Sequence, residues 1–299
     1  MKVGDFEFNL RELGGSLGDL GTLLPLAVGY IAVCGVDPAG LLVMMGLSNI
    51  LLGLLYRLPM PVEPMKVLAV VAIAQAWSPG MVYASAFAMG IVWLLFGFTG
   101  IIDRIAEATP REVIRGIQIS LGLLLAKEAL HLVGGQWFLL VASGVVIVLL
   151  RKSRHAPASV VLVIAGIVMV ALSPEAEGLA SFGFRLPEWR LPLPGAAWDA
   201  FVRGGLAQIP LTATNAVIAT SALITAYWPG RVVSERQLAV NMGVMNLVVS
   251  FFGGMPMCHG AGGLAGQYYF GARTGGANII EGTFEIVLGV FFAASIATV

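Results

Sequence analysis

The sequence predicts an all-α polytopic membrane protein, on the grounds of its composition, its apolar segments and the placement of its charges. Hydrophobic residues make up 58% of the 299 residues, charged residues make up 11%, and the mean hydropathy is +0.89. A soluble domain of this length needs far more charge, so we expect the lipid bilayer to surround the protein. The net charge is zero and no basic run is present, so nucleic acid is not expected as a partner.

Apolar segments follow one another along nearly the whole sequence. A helix needs about 20 apolar residues to cross a bilayer, and by this measure we identify about eleven segments. The third and the tenth are too short to cross alone, and each follows a stretch that contains proline. The segments are 18–34, 39–56, 64–77, 81–102, 112–131, 136–150, 157–173, 199–227, 236–252, 260–271 and 278–298.

The placement of Lys and Arg predicts the orientation. With the N-terminus inside, the cytoplasmic turns hold most of these residues, as the positive-inside rule requires. The predicted orientation requires that the third and tenth segments each cross half of the membrane as a helix and the other half as extended chain. The first residues lack the apolar core and cleavage site of a signal peptide. We therefore expect a multi-pass protein with a cytoplasmic N-terminus and one long polar excursion, residues 174–198.

An internal repeat relates residues 46–74 to residues 243–271. Each stretch contains an apolar helix, then a Pro-Met break, then a short apolar segment. Upstream, "LLPLAVGY" (23–30) and "QIPLTATN" (208–215) hold matching positions before each unit. Aligned without a gap, the identical pairs are Gly46 with Gly243, Asn49 with Asn246, Pro59 with Pro256 and Met60 with Met257.

The second unit starts from the opposite side of the membrane, so the two units have opposite topology. Paired broken segments in two such halves are typical of a secondary transporter whose binding site lies at the bilayer midplane. The alternative interpretation is chance similarity between two leucine-rich helices.

The two breaks predict an anion site inside the protein. Unpaired backbone at membrane depth must be buried in protein or line a wet cavity. Pro64 suits the first position of a helix, and small residues after His259 leave backbone N–H groups accessible. A helix start offers free N–H donors and about half a positive charge. Two such starts that face each other would form a cavity suited to an anion.

The few polar side chains near the breaks each have two interpretations. Glu63 and Lys66 form either an ion pair that fixes the short helix or a proton-sensitive carboxylate beside a lysine that attracts substrate. Asp19 is either a helix cap at the interface or a coupling carboxylate. His259 either carries a proton and donates to the anion or bonds only to backbone. Cys258 is interpreted as a small buried residue.

Further polar residues lie in the eighth and last segments. The neutral donors of the eighth segment suit an oxyanion but also tie helices together; they are Gln208, Thr212, Thr214 and Asn215. Glu281 and Glu285 are four residues apart, so they share a helix face, which we expect to point towards protein. No spacing of His, Cys and carboxylates indicates a metal site.

The residues around both breaks resemble the molybdate transporter family, which is distantly related to the SulP sulfate carriers. The stretches that carry the resemblance are "GDLGTLLPL" (18–26), "PMPVEPMKVLA" (59–69) and "PMCHGAGGLAGQYYFGARTGG" (256–276). The resemblance runs through nearly the whole chain. It implies the inverted-repeat fold of SulP and uracil carriers, in which a core domain with two half-helices, the third and tenth segments, packs against a gate domain.

The resemblance also implies a division of the chain. Residues 1–102 and 199–299 would form the two halves of the core. Residues 103–173 would form the first half of the gate, segments 5–7, and residues 174–198 an external loop. The last three spans of the fold, the second half of the gate, do not occur in this sequence. The alternatives are a truncated sequence and a naturally short member of the family, whose gate a partner or a homodimer would complete.

By position, the resemblance places the substrate between the third and tenth segments, flanked by the first and eighth. The implied substrate-binding residues are Asp19, Thr22, Glu63, Pro64, Met65, Lys66, Gln208, Thr212, Asn215, Cys258, His259, Gly260, Ala261, Gly262 and Gly263.

The function that the resemblance implies is secondary active transport of molybdate by alternating access, without a cofactor. Molybdate and sulfate are both dianions, so residue chemistry does not separate them, and tungstate is a further candidate. The alternatives are a sulfate or broader oxyanion carrier, a non-transporting protein that binds the anion, and a membrane enzyme that uses His259 with Cys258 and a carboxylate. We expect a carrier rather than an enzyme.

Overall fold

The computed structural model describes residues 1–18, 20–108, 135–150, 157–171 and 182–297, with isolated positions between 110 and 130 and at 153. It is mostly helical. Asp19 and most of the predicted fifth segment lie outside the described residues. Three of the described helices are long and apolar enough to cross a membrane, namely Pro38–Tyr56, Pro79–Thr99 and Pro194–Tyr227.

The described elements are helices joined by short connections and two small antiparallel strand pairs. The strands are β1 (Lys2–Val3), β2 (Phe6–Glu7), β3 (Glu63–Pro64) and β4 (Met257–Cys258). The helices are α1 (Leu10–Ser16), α2 (Leu20–Ala32), α3 (Pro38–Tyr56), α4 (Lys66–Ala74), α5 (Pro79–Thr99), α6 (Ile101–Glu107), α7 (Trp137–Leu150), α8 (Ala158–Ala171), α9 (Pro194–Tyr227), α10 (Glu235–Ser250), α11 (Ala261–Phe270), α12 (Gly276–Phe291) and α13 (Ala293–Ile296).

The helices agree with the predicted apolar segments to within a few residues wherever the structure describes both. α4 and α11 have 9 and 10 residues, which corresponds to about 14 and 15 Å of helix rise. One local prediction is wrong, because Pro64 is not at the first position of a helix. It lies in β3, and its extended backbone pairs with β4, so that α4 begins only at Lys66.

Helices from the two ends of the chain pack in pairs, α3 against α12 and α5 against α10. The backbones approach closely at glycines. A Cβ on Gly46 would lie 2.5 Å from the carbonyl oxygen of Gly282, and one on Gly243 would lie 2.7 Å from the backbone nitrogen of Leu94. Larger side chains at these positions would separate the helices. Both halves of the chain therefore form one packed body.

Two asparagine side chains hold the chain where it breaks. Asn278, on α12, accepts a hydrogen bond from the N–H of Met60 at 2.8 Å and donates to its carbonyl at 2.6 Å. Asn246, on α10, makes the same pair of bonds with Met257, also at 2.8 and 2.6 Å. Each side-chain amide thus satisfies both backbone groups of a buried, non-helical residue, as a neighbouring strand would.

The N-terminal segment is fastened to the turn after α11. Glu12, on α1, accepts hydrogen bonds from the N–H groups of Arg273 and Thr274 at 3.0 and 3.1 Å. Burial raises the pKa of the Glu12 carboxyl to about 7; the backbone donors oppose this shift, and the nearby Glu7 adds a smaller increase. The folded protein therefore holds a proton on Glu12 more tightly than the unfolded chain does.

We predict that the stability of the fold depends on pH through Glu12. Since the folded pKa of about 7 lies above the ordinary value of 4.5, stability decreases as the pH rises between these two values. Glu12→Gln should flatten this dependence in unfolding temperatures measured in detergent. Glu188→Gln, which changes an exposed carboxylate, should retain it, and equal flattening by both changes would contradict the prediction.

We predict that Asn278→Leu destabilises the fold by about 2–6 kcal/mol, because it leaves the N–H and the carbonyl of Met60 without a partner and each such buried group costs about 1–3 kcal/mol. The measurement is thermal unfolding in detergent. Thr283→Val, on the same helix, removes only a hydroxyl that bonds to the carbonyl of Ile279 and should cost much less. Equal costs for the two changes would show that Asn278 does not hold the break.

Candidate functional site

The starts of α4 and α11 lie side by side because β3 and β4 pair. The two strands are antiparallel, with Glu63 opposite Cys258. A further backbone bond, from the N–H of Met65 to the carbonyl of Pro256 at 2.9 Å, continues the pairing up to the start of α4. Both short helices therefore begin from one two-stranded ribbon, which we call the β3–β4 ribbon.

An ion pair lies at this ribbon. The carboxylate oxygen Oε2 of Glu63 is 3.0 Å from Nζ of Lys66, and the two side chains are 1% and 23% exposed. Gly260, the residue before α11, faces this carboxylate, since a Cβ at Gly260 would lie only 2.3 Å from Oε2. The structure thus contains the ion pair that the spacing allows, and it needs glycine at position 260 to accommodate it.

A side chain from α9 caps the first turn of α4. The Oε1 atom of Gln208 accepts hydrogen bonds from the N–H groups of Val67 and Leu68 at 2.8 and 3.2 Å. The Nε2 atom of Gln208 donates to the hydroxyl of Thr212 at 2.7 Å, and both polar side chains are 1% exposed. The sequence predicts bare N–H groups at this helix start, whereas an amide oxygen occupies two of them in this structure.

The first turn of α11 lacks such a cap. The residue before α11 is Gly260, which has no side chain to cap the helix. Among the described residues, the hydrogen bonds from the first N–H groups of the two short helices to a side chain are those to Gln208 at α4. Its opening residues, Ala261, Gly262 and Gly263, are small, so a ligand could approach the backbone. An uncapped helix start keeps its N–H donors and about half a positive charge. α11 therefore has the property that the sequence predicts for both helices.

Several fully or nearly fully buried polar atoms have no hydrogen-bond partner among the described residues, and three of them belong to α2, to α9 and to the residue before Gly260. These three are Oη of Tyr30, Oδ1 of Asn215 and Nε2 of His259. The other ring nitrogen of His259 lies 3.2 Å from the carbonyl of Pro61. A carbonyl only accepts, so Nδ1 carries the hydrogen of this bond. Buried polar atoms without a protein partner are rare in proteins, and a bound water or ion is one of the explanations for them.

Tyr30 is a candidate that the sequence analysis misses. In the repeat, 23–30 matches 208–215, so Tyr30 is aligned with Asn215. Both side chains are buried and carry an unpartnered atom. The signal available in the sequence is a phenol in an apolar segment, because a buried tyrosine hydroxyl needs a hydrogen-bond partner. The π-helical turn over Thr212–Ala219, which includes Asn215, is also not predicted, although such turns are frequent at functional sites.

The other candidates have varied positions. Asp19 lies outside the described residues, and of Thr22 only the backbone, in α2, is described. Cys258 is a buried free thiol. Within the described ranges, no group of three or more His, Cys, Asp or Glu residues could hold a metal ion.

The two acidic residues of α12 face protein, as the sequence predicts. Glu281 accepts a hydrogen bond from Nε2 of Gln267 at 3.1 Å, and Glu285 accepts one from Nδ2 of Asn49 at 2.8 Å. These bonds join α12 to α11 and to α3. Both carboxyl groups therefore brace the helices around the ribbon.

Comparison with known sequences identifies the family. The family model described as "Molybdate transporter of MFS superfamily" matches residues 11–125 and 200–299. The chain is 30% identical to Molybdate transporter 2 of Arabidopsis thaliana, over 95% of this chain and 72% of that protein. It is also 30% identical to Molybdate transporter 1 of Chlamydomonas reinhardtii, over 95% of this chain and 78% of that protein.

Solved structures of anion transporters share the fold. The transmembrane domain of a cyanobacterium bicarbonate transporter, BicA, matches with a TM-score of 0.56 and 16% identity, over 97% of this chain and 86% of that one. Murine Slc26a9, an anion transporter in the inward-facing state, matches with a TM-score of 0.64 and 13% identity, over 100% of this chain and 60% of that one.

The family and the apolar helices identify an integral membrane protein that is a transporter and not an enzyme. The sequence resemblance implies a fold like that of the SulP carriers, and the likeness to the solved anion transporters agrees with this expectation at the level of the fold. The family match covers more than half of the residues and includes both the N-terminal and the C-terminal part of the chain. The chain belongs to the molybdate transporter family.

Proposed function

We propose that the protein is a secondary transporter that carries molybdate across the membrane and binds the anion at the starts of α4 and α11. One observation carries the proposal, namely that the β3–β4 ribbon sets two short helix starts side by side inside an apolar protein. Helix starts bind anions through backbone N–H groups and partial positive charge. Relatives that are named molybdate transporters favour molybdate as the anion.

Contacts around the ribbon support an inverted repeat in which α4 and α11 are half-helices. Gly46 of α3 packs against Ile286 of α12, and its repeat partner Gly243 of α10 packs against Leu94 of α5. The two repeat-related methionines at the breaks are each held by an asparagine side chain. The same packing thus recurs in both halves of the chain, as an inverted repeat requires.

We propose that residues 1–102 and 199–299 form a core and that 103–173 belong to a gate, with 174–198 outside and the N-terminus in the cytoplasm. The pairing of α3 with α12 and of α5 with α10 supports a single core. The described gate helix α7 has no buried residue, which fits a surface that a moving partner or lipid covers. A second copy of this chain is one such proposed partner.

In the proposed site, the N–H groups of α11 hold the anion, and Lys66 lies beside them in its ion pair with Glu63. Tyr30, Asn215 and His259 supply further polar atoms that lack a protein partner among the described residues. The remaining residues proposed to line the site are Asp19, Thr22, Glu63, Pro64, Met65, Gln208, Thr212, Cys258, Gly260, Ala261, Gly262 and Gly263.

We predict that Ala261→Pro weakens molybdate binding about 10- to 100-fold, because it deletes one N–H donor and a hydrogen bond to a charged group contributes about 1.5–3 kcal/mol. Proline is tolerated at the first position of a helix, and Gly260 already has the extended backbone, φ −135° and ψ 122°, that precedes proline. The measurement is saturable uptake and counterflow of labelled molybdate in proteoliposomes, with sulfate, tungstate and phosphate as competitors.

Glu235→Pro is the matched control, since Glu235 is the first residue of α10. It should leave the affinity for molybdate unchanged. Equal affinity in the Ala261→Pro and wild-type proteins would refute binding at the start of α11. Stronger competition by sulfate than by molybdate would favour the alternative of a sulfate or broader oxyanion carrier, and binding without flux would favour a non-transporting protein.

We also propose that a proton is coupled to transport through Glu63, Asp19 or His259. We predict that neutral replacements, Glu63→Gln, Asp19→Asn and His259→Gln, abolish the stimulation of uptake by a proton gradient in at least one variant. Counterflow without a gradient should persist in that variant, because exchange needs no net proton movement. Uptake that is unchanged at every pH in the triple variant would exclude the coupling.

A further inference from the structure

The side chain of Gln208 occupies part of the proposed anion site. Its Oε1 atom accepts hydrogen bonds from two N–H groups of the first turn of α4, at 2.8 and 3.2 Å. An oxygen of a bound oxyanion would use the same N–H groups. Because Gln208 is 1% exposed, water does not compete effectively for these bonds in the structure. A neutral amide oxygen therefore stands where an anion oxygen would bind.

The orientation of this amide is fixed by its second contact. Nε2 of Gln208 donates to Oγ1 of Thr212 at 2.7 Å. An N–H group of α4 cannot accept a hydrogen bond, so the oxygen of the amide must face α4 and the nitrogen must face Thr212. Both polar ends of the side chain are thereby satisfied, and α9 is joined to α4.

Only one of the two short helices has this arrangement. The residue aligned with Gln208 in the first repeat unit is Leu23, which is buried and has no polar atom. In agreement with this, the side-chain cap that the described residues show at a short helix is that of Gln208 on α4, and α11 begins after Gly260, which has no side chain. If the cap served only to stabilise a buried helix start, both short helices would need one. The cap on α4 therefore points to a role that is specific to the start of α4.

We propose that Gln208 is a built-in ligand of α4, which the transported anion displaces when it binds. The inference rests on the proposed function, and it assigns to Gln208 the control of affinity. Hydrogen bonds to an ionised acceptor are roughly twice as strong as those to a neutral one, so an oxyanion can replace the amide. The displaced amide keeps its N–H₂ group, and α9 is released from α4 only when the anion is present.

The test compares Gln208→Ala with Gln208→Glu by measuring molybdate dissociation constants of purified protein in detergent. Gln208→Ala removes the competitor and should tighten binding about 5- to 10-fold, the equivalent of one net hydrogen bond. Gln208→Glu puts a charged acceptor in the same place and should weaken binding at least about 10-fold. Lowering the pH, which protonates the introduced carboxyl, should recover part of this loss.

Two further measurements separate displacement from a general packing effect. Gln208→Ala should lower the unfolding temperature of the empty protein yet enlarge the increase that molybdate produces. Thr212→Val, which removes only the partner of Nε2, should tighten binding less than Gln208→Ala. Gln267→Ala, the control, removes another fully buried glutamine that bonds to Glu281; it should lower stability without tightening binding.

Each outcome decides the proposal. If Gln208→Ala binds molybdate more weakly than the wild-type protein, Gln208 is a direct ligand of the anion and the displacement proposal is overturned. Unchanged binding in both Gln208 variants would also overturn it. Absence of saturable molybdate binding in the wild-type protein would instead overturn the proposed function itself. If Gln208→Ala fails to fold, two measurements still show whether the Gln208 cap competes with molybdate. These are the change in affinity in Thr212→Val and the recovery of affinity at low pH in Gln208→Glu.

Discussion

Every peptide group at a chain break inside an apolar protein needs a partner from the protein itself, and the core of this molecule is arranged around that constraint. The ribbon formed by Glu63–Pro64 and Met257–Cys258 lets each break satisfy part of the other. The side chains of Asn246 and Asn278 then satisfy the adjoining methionines. These contacts require helices from the two halves of the chain to pack together. The glycines of α3 and α12 and of α5 and α10 allow this close packing.

The constraint is met unequally at the two helix starts. Among the described residues, Gln208 satisfies two N–H groups of α4, whereas the residue before α11 is a glycine without a capping side chain. A fully capped pair of helices would be a more stable protein but would offer an anion no donors. A fully bare pair would leave several buried donors unsatisfied whenever the site is empty, at about 1–3 kcal/mol each. One exchangeable cap and one open start reconcile stability with binding.

Much of the fold could be predicted because hydrophobicity, proline and glycine act locally. The apolar runs locate the helices, and the repeated Pro-Met pair locates the two breaks. What the sequence could not supply are contacts between residues far apart in the chain. Asn49 and Asn246 match in the repeat, yet the side chain that holds Met60 is Asn278, some 218 positions away. The position of Pro64 in a strand, and the Gln208 cap across 141 positions, likewise depend on packing.

The charges at the ribbon explain why backbone, rather than a cationic side chain, suits the proposed anion. Glu63 lies 3.0 Å from Lys66 and offsets its charge, so the ion pair contributes little net positive potential. The remaining attraction comes from helix starts, each equivalent to about half a charge. A dianion held by a desolvated, unneutralised lysine would be released slowly, because buried charge pairs are strong and costly to separate. The partial charges of the helix starts bind the anion less tightly than a full charge would. The neutral amide of Gln208 returns to α4 when the anion leaves. Both effects allow the anion to bind and to be released in each transport cycle.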